Sequence, residues 1–484
     1  MKPAYILICF IAYTILLFIV TWLTSRRSNN DSYYVGNKSS PWYIVAYGMI
    51  GASLSGVTFM SLPGLVGTQQ FTYMGIVFGF LIGYTVIATI LLPLYYRMNL
   101  TSIYAYLNQR FGFWSYKTGA FYFILSRIVG ASFRMFLVVN VLQTFVFDHW
   151  GIPFGVVVAV FMILIILYTF EGGVKTIIWT DTLQTTFMLL GVVFSIYFIS
   201  KELGIGLGDI FGKIQHAGYT KVWNTDWQSR NFFLKQFLSG AFIAIVMTGL
   251  DQEMMQKNIS CRNLKAAQKN MFTFSGILVV VNLMFLTLGA VLYMYASSKG
   301  IAIPKKTDDL FPLIAFNHLS PLAGLIFMVG LVSAAYPSAD GALTALTTSF
   351  CVDFLGFKDK SKLTEKQKKK IRYYVHISFA TVLLIVILFF RALNSEAVIN
   401  AIYTAAGYTY GPLLGLFTFG LFTKFAVKDK YVWIAAILSP VLCYVLSLYS
   451  ETLFNGYKFG FELIVLNGFL MFIGLFVLRK RVVI

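Results

Sequence analysis

Four ionisable side chains fall deep inside apolar runs: Arg127 and Arg134 in the run 116–147, Asp181 in 174–200 and Asp340 in 318–353. A charge in a bilayer costs several kcal/mol unless it is paired or hydrated, so each is a site candidate. The two arginines are seven residues apart, about two helical turns, and share one face. Two roles fit them: one holds an anionic group of a solute, or both neutralise Asp181 and Asp340 in buried ion pairs. Asp181 lies in Gly172-Gly173-Val-Lys-Thr-Ile-Ile-Trp-Thr-Asp-Thr-Leu-Gln184, about 10 Å along the helix from Lys175, where it suits cation binding or the anchoring of a gate. Asp340 lies in Ser333-Ala-Ala-Tyr-Pro-Ser-Ala-Asp-Gly-Ala-Leu-Thr-Ala-Leu-Thr-Thr-Ser349, with small and hydroxyl residues at three- and four-residue spacings. One face of that segment is therefore polar and narrow.

A second polar stretch, Gly51-Ala-Ser-Leu-Ser-Gly-Val-Thr-Phe-Met-Ser-Leu-Pro-Gly64, interrupts the apolar run 42–66. Gly51, Gly56, Pro63 and Gly64 weaken a helix, and Ser53, Ser55, Thr58 and Ser61 carry hydroxyls to a depth where lipid offers no partner. Such backbone survives in a membrane only when it is buried in protein or lines a wet cavity, and freed carbonyls there suit a small cation. Close helix packing through small residues is the alternative reading of the glycines. Set against the 333–349 face, the stretch would complete an oxygen cage for a small hard cation, with Asp340 in an ion or proton role or a structural one.

These residues need a membrane scaffold, and the composition supplies one. Of 484 residues 58% are hydrophobic and 12% charged, with mean hydropathy +0.75, so the chain is an integral membrane protein. About thirteen spans are expected, near 4–24, 42–66, 74–98, 116–147, 152–170, 174–200, 233–253, 268–296, 318–353, 370–391, 397–422, 430–449 and 460–479. With the N-terminus outside and the C-terminus cytoplasmic, about 25 Lys and Arg fall on inner segments, among them Arg26, Arg27, Lys38, Lys257 and the run Lys358–Arg372, against about 10 outside. The net charge of +19 is thus topological, and nucleic acid is not expected as a partner. Residues 4–24 form a retained peripheral span, and 42–200 and 233–422 are candidate halves of a repeat, each opening on a Gly-interrupted helix; 430–479 adds two peripheral helices. Thr101–Gly112 is expected as a short amphipathic helix at the inner surface, and 297–317 as an outer connection able to hold short helices or a lid. Asp251 and Glu253 are read as a cytoplasmic gate or surface network and His376 as an interface residue. The four cysteines are scattered and the four histidines form no paired metal motif, so neither a disulfide frame nor an enzyme is expected.

The segments 55–63, 101–112, 172–184, 248–256 (Thr-Gly-Leu-Asp-Gln-Glu-Met-Met-Gln) and 407–417 (Gly-Tyr-Thr-Tyr-Gly-Pro-Leu-Leu-Gly-Leu-Phe) together resemble the sodium:solute symporter family. The resemblance covers most of the chain. It implies an all-α fold with a 5+5 inverted-repeat core of the LeuT type and broken first helices. It also implies a sodium site from the carbonyls of Gly51, Leu54 and Ala334 and the side chains at positions 337 and 338. Ser338 keeps the hydroxyl, whereas Pro337 stands where the family usually has serine. Some members have a further sodium site at the Asp181 position with hydroxyls near 340 and 341; here those are Asp340 and Gly341, and Asp340 is expected to take over much of the coordination. The solute would lie near Ser53, Ser55 and Thr58 with Arg127 or Arg134 facing it. The family takes sugars, sialic acids, amino acids, monocarboxylates and vitamins. Asn282, with no lysine in 272–294, counts against a typical sugar pocket. The expectation is a sodium-coupled symporter of the cell membrane that imports a small polar solute by alternating access, with sodium, solute and lipid as partners and no obligate protein partner. A proton-coupled transporter of the same fold and a non-transporting solute sensor are the alternatives.

Overall fold

In lipid each backbone N–H and C=O must be paired within the chain, so apolar runs of this length have to fold as helices. The computed structural model describes residues 2–25, 39–169, 173–357, 363–393 and 398–480. Arg26, Arg27, Lys38, Gly172 and Lys358 lie outside the described residues. Among the described residues eight helices are long and apolar enough to cross a bilayer alone, and two bent pairs raise the number to ten. Three shorter apolar helices, Phe154–Thr169, Gly411–Phe422 and Leu463–Val477, fall on three further expected spans.

The first bent pair is α1 (Trp42–Ser53) and α2 (Gly56–Gln69), which meet at 59°. The helix α3 (Met74–Val86) follows, continued by a π-turn at Ile87–Leu91. After it come α4 (Ala105–Arg110), α5 (Phe113–Phe145), α6 (Phe154–Thr169) and α7 (Gly173–Glu202). The second bent pair joins Phe233–Gly249, which begins as α8 (Phe233–Ala244) and ends in a π-turn, to α9 (Gln252–Ile259) at 67°. Beyond it lie α10 (Leu264–Ser298), α11 (Leu310–Asn317), α12 (Pro321–Ser349), α13 (Glu365–Leu393), α14 (Val398–Thr409) and α15 (Gly411–Phe422).

The two bends are cross-packed. Helix α2 lies on α10, and α3 lies on α8, so the broken helix of each half rests on the unbroken helix that follows the break in the other. Glycines make both contacts close. A Cβ on Gly240 would lie 2.1 Å from the Ile76 carbonyl, and one on Gly289 would lie 2.5 Å from the Pro63 carbonyl. Helix α12 packs against both halves of the first bent pair and along α7, so the polar face 333–349 is wholly buried.

One expectation is refined here and one is met. The inner helix is shorter than 101–112 and is tied to its neighbours: Ile103 N–H donates to Gln252 Oε1 (3.0 Å), and Arg110 donates to the carbonyls of Gly420 (3.1 Å) and Thr423 (2.7 Å). Those bonds clamp α4 between α9 and the end of α15. The outer connection folds down as a turn at Thr307–Asp309 and α11; Thr307 comes so near that a Cβ on Gly64 would lie 2.5 Å from its carbonyl oxygen. Asp308 accepts from Val398 N–H (3.0 Å), so this connection ties α2 to the start of α14.

Candidate functional site

At the first bend Leu54 (φ −91, ψ 84) and Ser55 (φ −78, ψ 178) leave helical geometry. The backbone ladder closes with Leu54 N–H to Ile50 O (2.8 Å) and resumes with Phe59 N–H to Ser55 O (3.1 Å). The carbonyls of Gly51 and Leu54 fall in the gap and accept no hydrogen bond from any described residue. On the facing helix, Ala334 presents its carbonyl 4.0 Å from the place of a Cβ on Gly56. Ser338, one turn further along, keeps a buried hydroxyl without a partner. Pro337 has no N–H, which releases the Ser333 carbonyl as well. Buried oxygens with nothing to bond are costly unless a ligand meets them, and a small hard cation is the ligand oxygens of this kind take.

The second bend has the same shape and a different fate. Its freed carbonyls are filled from within: Tyr95 donates to Gly249 O (2.8 Å) and Tyr104 to Leu250 O (2.9 Å). Asp251 caps α9 by accepting from the N–H groups of Glu253 (3.0 Å) and Met254 (3.2 Å). Of two matching breaks, one is closed by the protein and one is left with bare oxygens.

Beside the first bend lies a small polar cavity. Ser53, Leu54 and Thr58 line one side, Arg127 and Arg134 another, with Tyr403 and Asn282 also on the wall. Ser55 is buried outside it. Although the arginines share a face as their spacing predicts, their states differ. Arg127 is taken by Glu253 and by Asp251 (3.6 Å). Arg134 makes no ion pair or hydrogen bond among the described residues, its Nε is buried without a partner, and its guanidinium borders the cavity.

The expected pairing of the arginines with Asp181 and Asp340 does not occur. Asp181 is bonded by the Lys257 ammonium (2.7 Å), which also reaches Glu253 (3.2 Å), and all three side chains are buried. Lys257 was missed because its place after the second apolar run reads as an inner surface; the bend turns α9 back into the protein. Asp251 and Glu253 form no surface network for the same reason. Asp340 is held by the Tyr168 hydroxyl and by the Gly341 N–H (2.5 Å). Two residues on a helix are about 200° apart, so Asp340 faces away from Ser338, and the structure does not bring it to the oxygens of the first bend. His376 is buried rather than interfacial, bonded to Thr169 (2.8 Å) and Thr347 (3.0 Å).

Among known proteins, the sodium/sialic acid symporter SiaT of Proteus mirabilis (strain HI4320) is 25% identical over 459 residues, covering 92% of this chain and 89% of that protein. The sodium-coupled monocarboxylate transporter 1 of Mus musculus is 25% identical over 416 residues, 83% of this chain and 65% of that one. A solved structure of a Na+-coupled sialic acid symporter in a substrate-bound outward-open state superposes with a TM-score of 0.84 at 21% identity, over 99% of both chains. The family model described as the sodium:solute symporter family matches residues 33–429. With that match spanning most of the sequence, and with one helix break left open beside a polar cavity, the chain belongs to the sodium:solute symporter family.

Proposed function

We propose that this sodium-coupled symporter takes a small polar solute carrying a carboxylate, and that Arg134 receives the carboxylate. The unpaired guanidinium of Arg134 at the cavity wall carries the reading. A half-buried guanidinium with no ion pair among the described residues has binding capacity to spare, and an arginine fork matches a carboxylate in both geometry and charge. Arg127 positions the neighbouring acids instead, through Glu253 and Asp251. Sialic acids and monocarboxylates, the solutes named for the relatives above, both bear that group. Sodium sits at the first bend, on the carbonyls of Gly51, Leu54 and Ala334 and the hydroxyl of Ser338. It binds α1 and α2 to α12, and Leu54 belongs to both the ion site and the cavity wall, so ion binding shapes the solute pocket. Inward movement of sodium then drives import by alternating access.

The test is sodium-dependent thermal stabilisation of the purified protein by N-acetylneuraminate, by lactate and by their methyl esters. A free acid should stabilise and its ester should not, and in Arg134→Gln the stabilising acid should bind about 10- to 100-fold more weakly, as for a lost charge-assisted pair. Equal stabilisation by acid and ester, or an unaffected Arg134→Gln, would overturn the assignment.

A further inference from the structure

After α15 the chain makes a short strand, β1 (Ala426–Val427), and then α16 (Val432–Leu448); a last apolar helix, α17 (Leu463–Val477), returns to β2 (Arg479–Lys480), which pairs antiparallel with β1. The two helices run opposite ways, and between them lies a groove of about 390 Å³. Small residues let its floor close up: a Cβ on Gly474 would lie 2.9 Å from the Ala435 Cβ. Its walls are apolar and exposed, with Leu438 and Leu442 on α16 and Ile473 and Val477 on α17.

One end of the groove is basic. Tyr431 and Leu478 close it at the two-stranded ribbon, where Lys428 N–H donates to Leu478 O (2.8 Å). The segments 424–430 and 479–480 carry Lys424, Lys428, Lys430, Arg479 and Lys480 against a single acid, Asp429. That acid is already committed: its two oxygens accept from Trp114 N–H (2.8 Å), Ser115 N–H (2.8 Å) and the Ser115 hydroxyl (2.6 Å) at the start of α5. None of the five cations makes an ion pair among the described residues. The Arg479 guanidinium lies over the Phe476 ring, 3.7 Å from its centre, which holds it beside the end of α17. From Tyr431 to Leu442 the groove follows α16 for about 16 Å at a rise of 1.5 Å per residue, close to half of the ~30 Å hydrocarbon thickness of a bilayer.

We propose that this groove binds an anionic phospholipid, with one acyl chain between α16 and α17 and the phosphate at Lys428, Lys430 and Arg479. An apolar slot one leaflet deep accepts the tail, and cations without counter-ions at headgroup level attract the phosphate. A lipid without net charge satisfies only the apolar part. A second copy of this chain is the poorer occupant, because a two-fold contact through this face would set the five cations against their own images. Occupancy braces α17, whose Asn467 donates to the Gly407 and Tyr408 carbonyls of α14 (both 2.9 Å). Since α14 also carries Tyr403 on the wall of the solute cavity, the lipid steadies the scaffold behind that wall.

The test is native mass spectrometry of the purified, delipidated full-length protein after addition of dioleoyl phosphatidylglycerol or, at equal concentration, dioleoyl phosphatidylcholine. The chain should retain phosphatidylglycerol at least about tenfold more tightly than phosphatidylcholine, as expected of several basic residues at headgroup level. In the triple variant Lys428→Gln, Lys430→Gln, Arg479→Gln the preference should fall to within about twofold. Leu438→Trp, which fills the slot, should lower retention of phosphatidylglycerol about tenfold, and glycerol 3-phosphate, a headgroup without a tail, should not compete. Equal retention of the two lipids by the unaltered protein, an unchanged preference in the triple variant, or full competition by glycerol 3-phosphate would overturn the proposal. So would a dimer that Leu438→Trp dissociates, which would give the face to a second copy. If a variant fails to fold, the comparison of the two lipids on the unaltered protein decides.

Discussion

Ser338 carries a hydroxyl that is buried and without a bonding partner among the described residues. Leaving such a group unsatisfied costs roughly 1–3 kcal/mol, an expense that natural cores avoid unless a ligand completes the bond. Arg134 Nε is another buried atom without a partner among the described residues, and Arg134 borders the cavity. In the function proposed above, Ser338 offers an oxygen to the ion and Arg134 a positive fork to its anionic companion. Ser338→Ala should weaken sodium activation of uptake about tenfold, equivalent to about 1.4 kcal/mol and one oxygen ligand, while leaving solute affinity at saturating sodium nearly unchanged. A sodium dependence identical to that of the unaltered protein would remove Ser338 from the ion site.

At the scale of elements, two broken helices of similar angle have been given opposite tasks. The bend at Leu54 keeps its carbonyls bare, whereas that at Leu250 has them filled by Tyr95 and Tyr104. The filled bend holds α9 against α12 and α1, and its tyrosines, anchored outside the bend, fix where it turns. Tyr104→Phe should leave the Leu250 carbonyl buried and unpaired, lowering stability by about 1–3 kcal/mol with the melting temperature down by a few degrees. Thermal unfolding in detergent measures this directly. No loss of stability would mean that the second bend does not depend on the tyrosine to hold its shape.

For the whole molecule, the distribution of Lys and Arg predicts an N-terminus outside and the run Lys358–Arg372 on the cytoplasmic side. A single cysteine placed at Lys366, an exposed position near the start of α13, should react with a membrane-impermeant thiol reagent in inside-out vesicles and not in intact cells. The reverse pattern would invert the membrane orientation and place the Lys257 cluster towards the opposite face. Cross-packing of the two bends, α2 on α10 and α3 on α8, makes each half the support of the other, so a change at one bend is felt at the second.

The sequence by itself determined the membrane class, the helical spans and the position of the first break, because these follow from hydropathy, from glycine and proline, and from hydroxyls at bilayer depth. It also placed Arg127 and Arg134 on one face, since helical spacing is local. Partners are not local. Only the folded chain decided that Arg127 is neutralised while Arg134 makes no ion pair among the described residues, that Asp181 is bound by Lys257, and that Asp340 turns to Tyr168 rather than to the open break. The physical reason is the second bend: it swings the charged helix after Gly249 from where a straight span would surface into the protein interior, a change of direction that hydropathy does not encode.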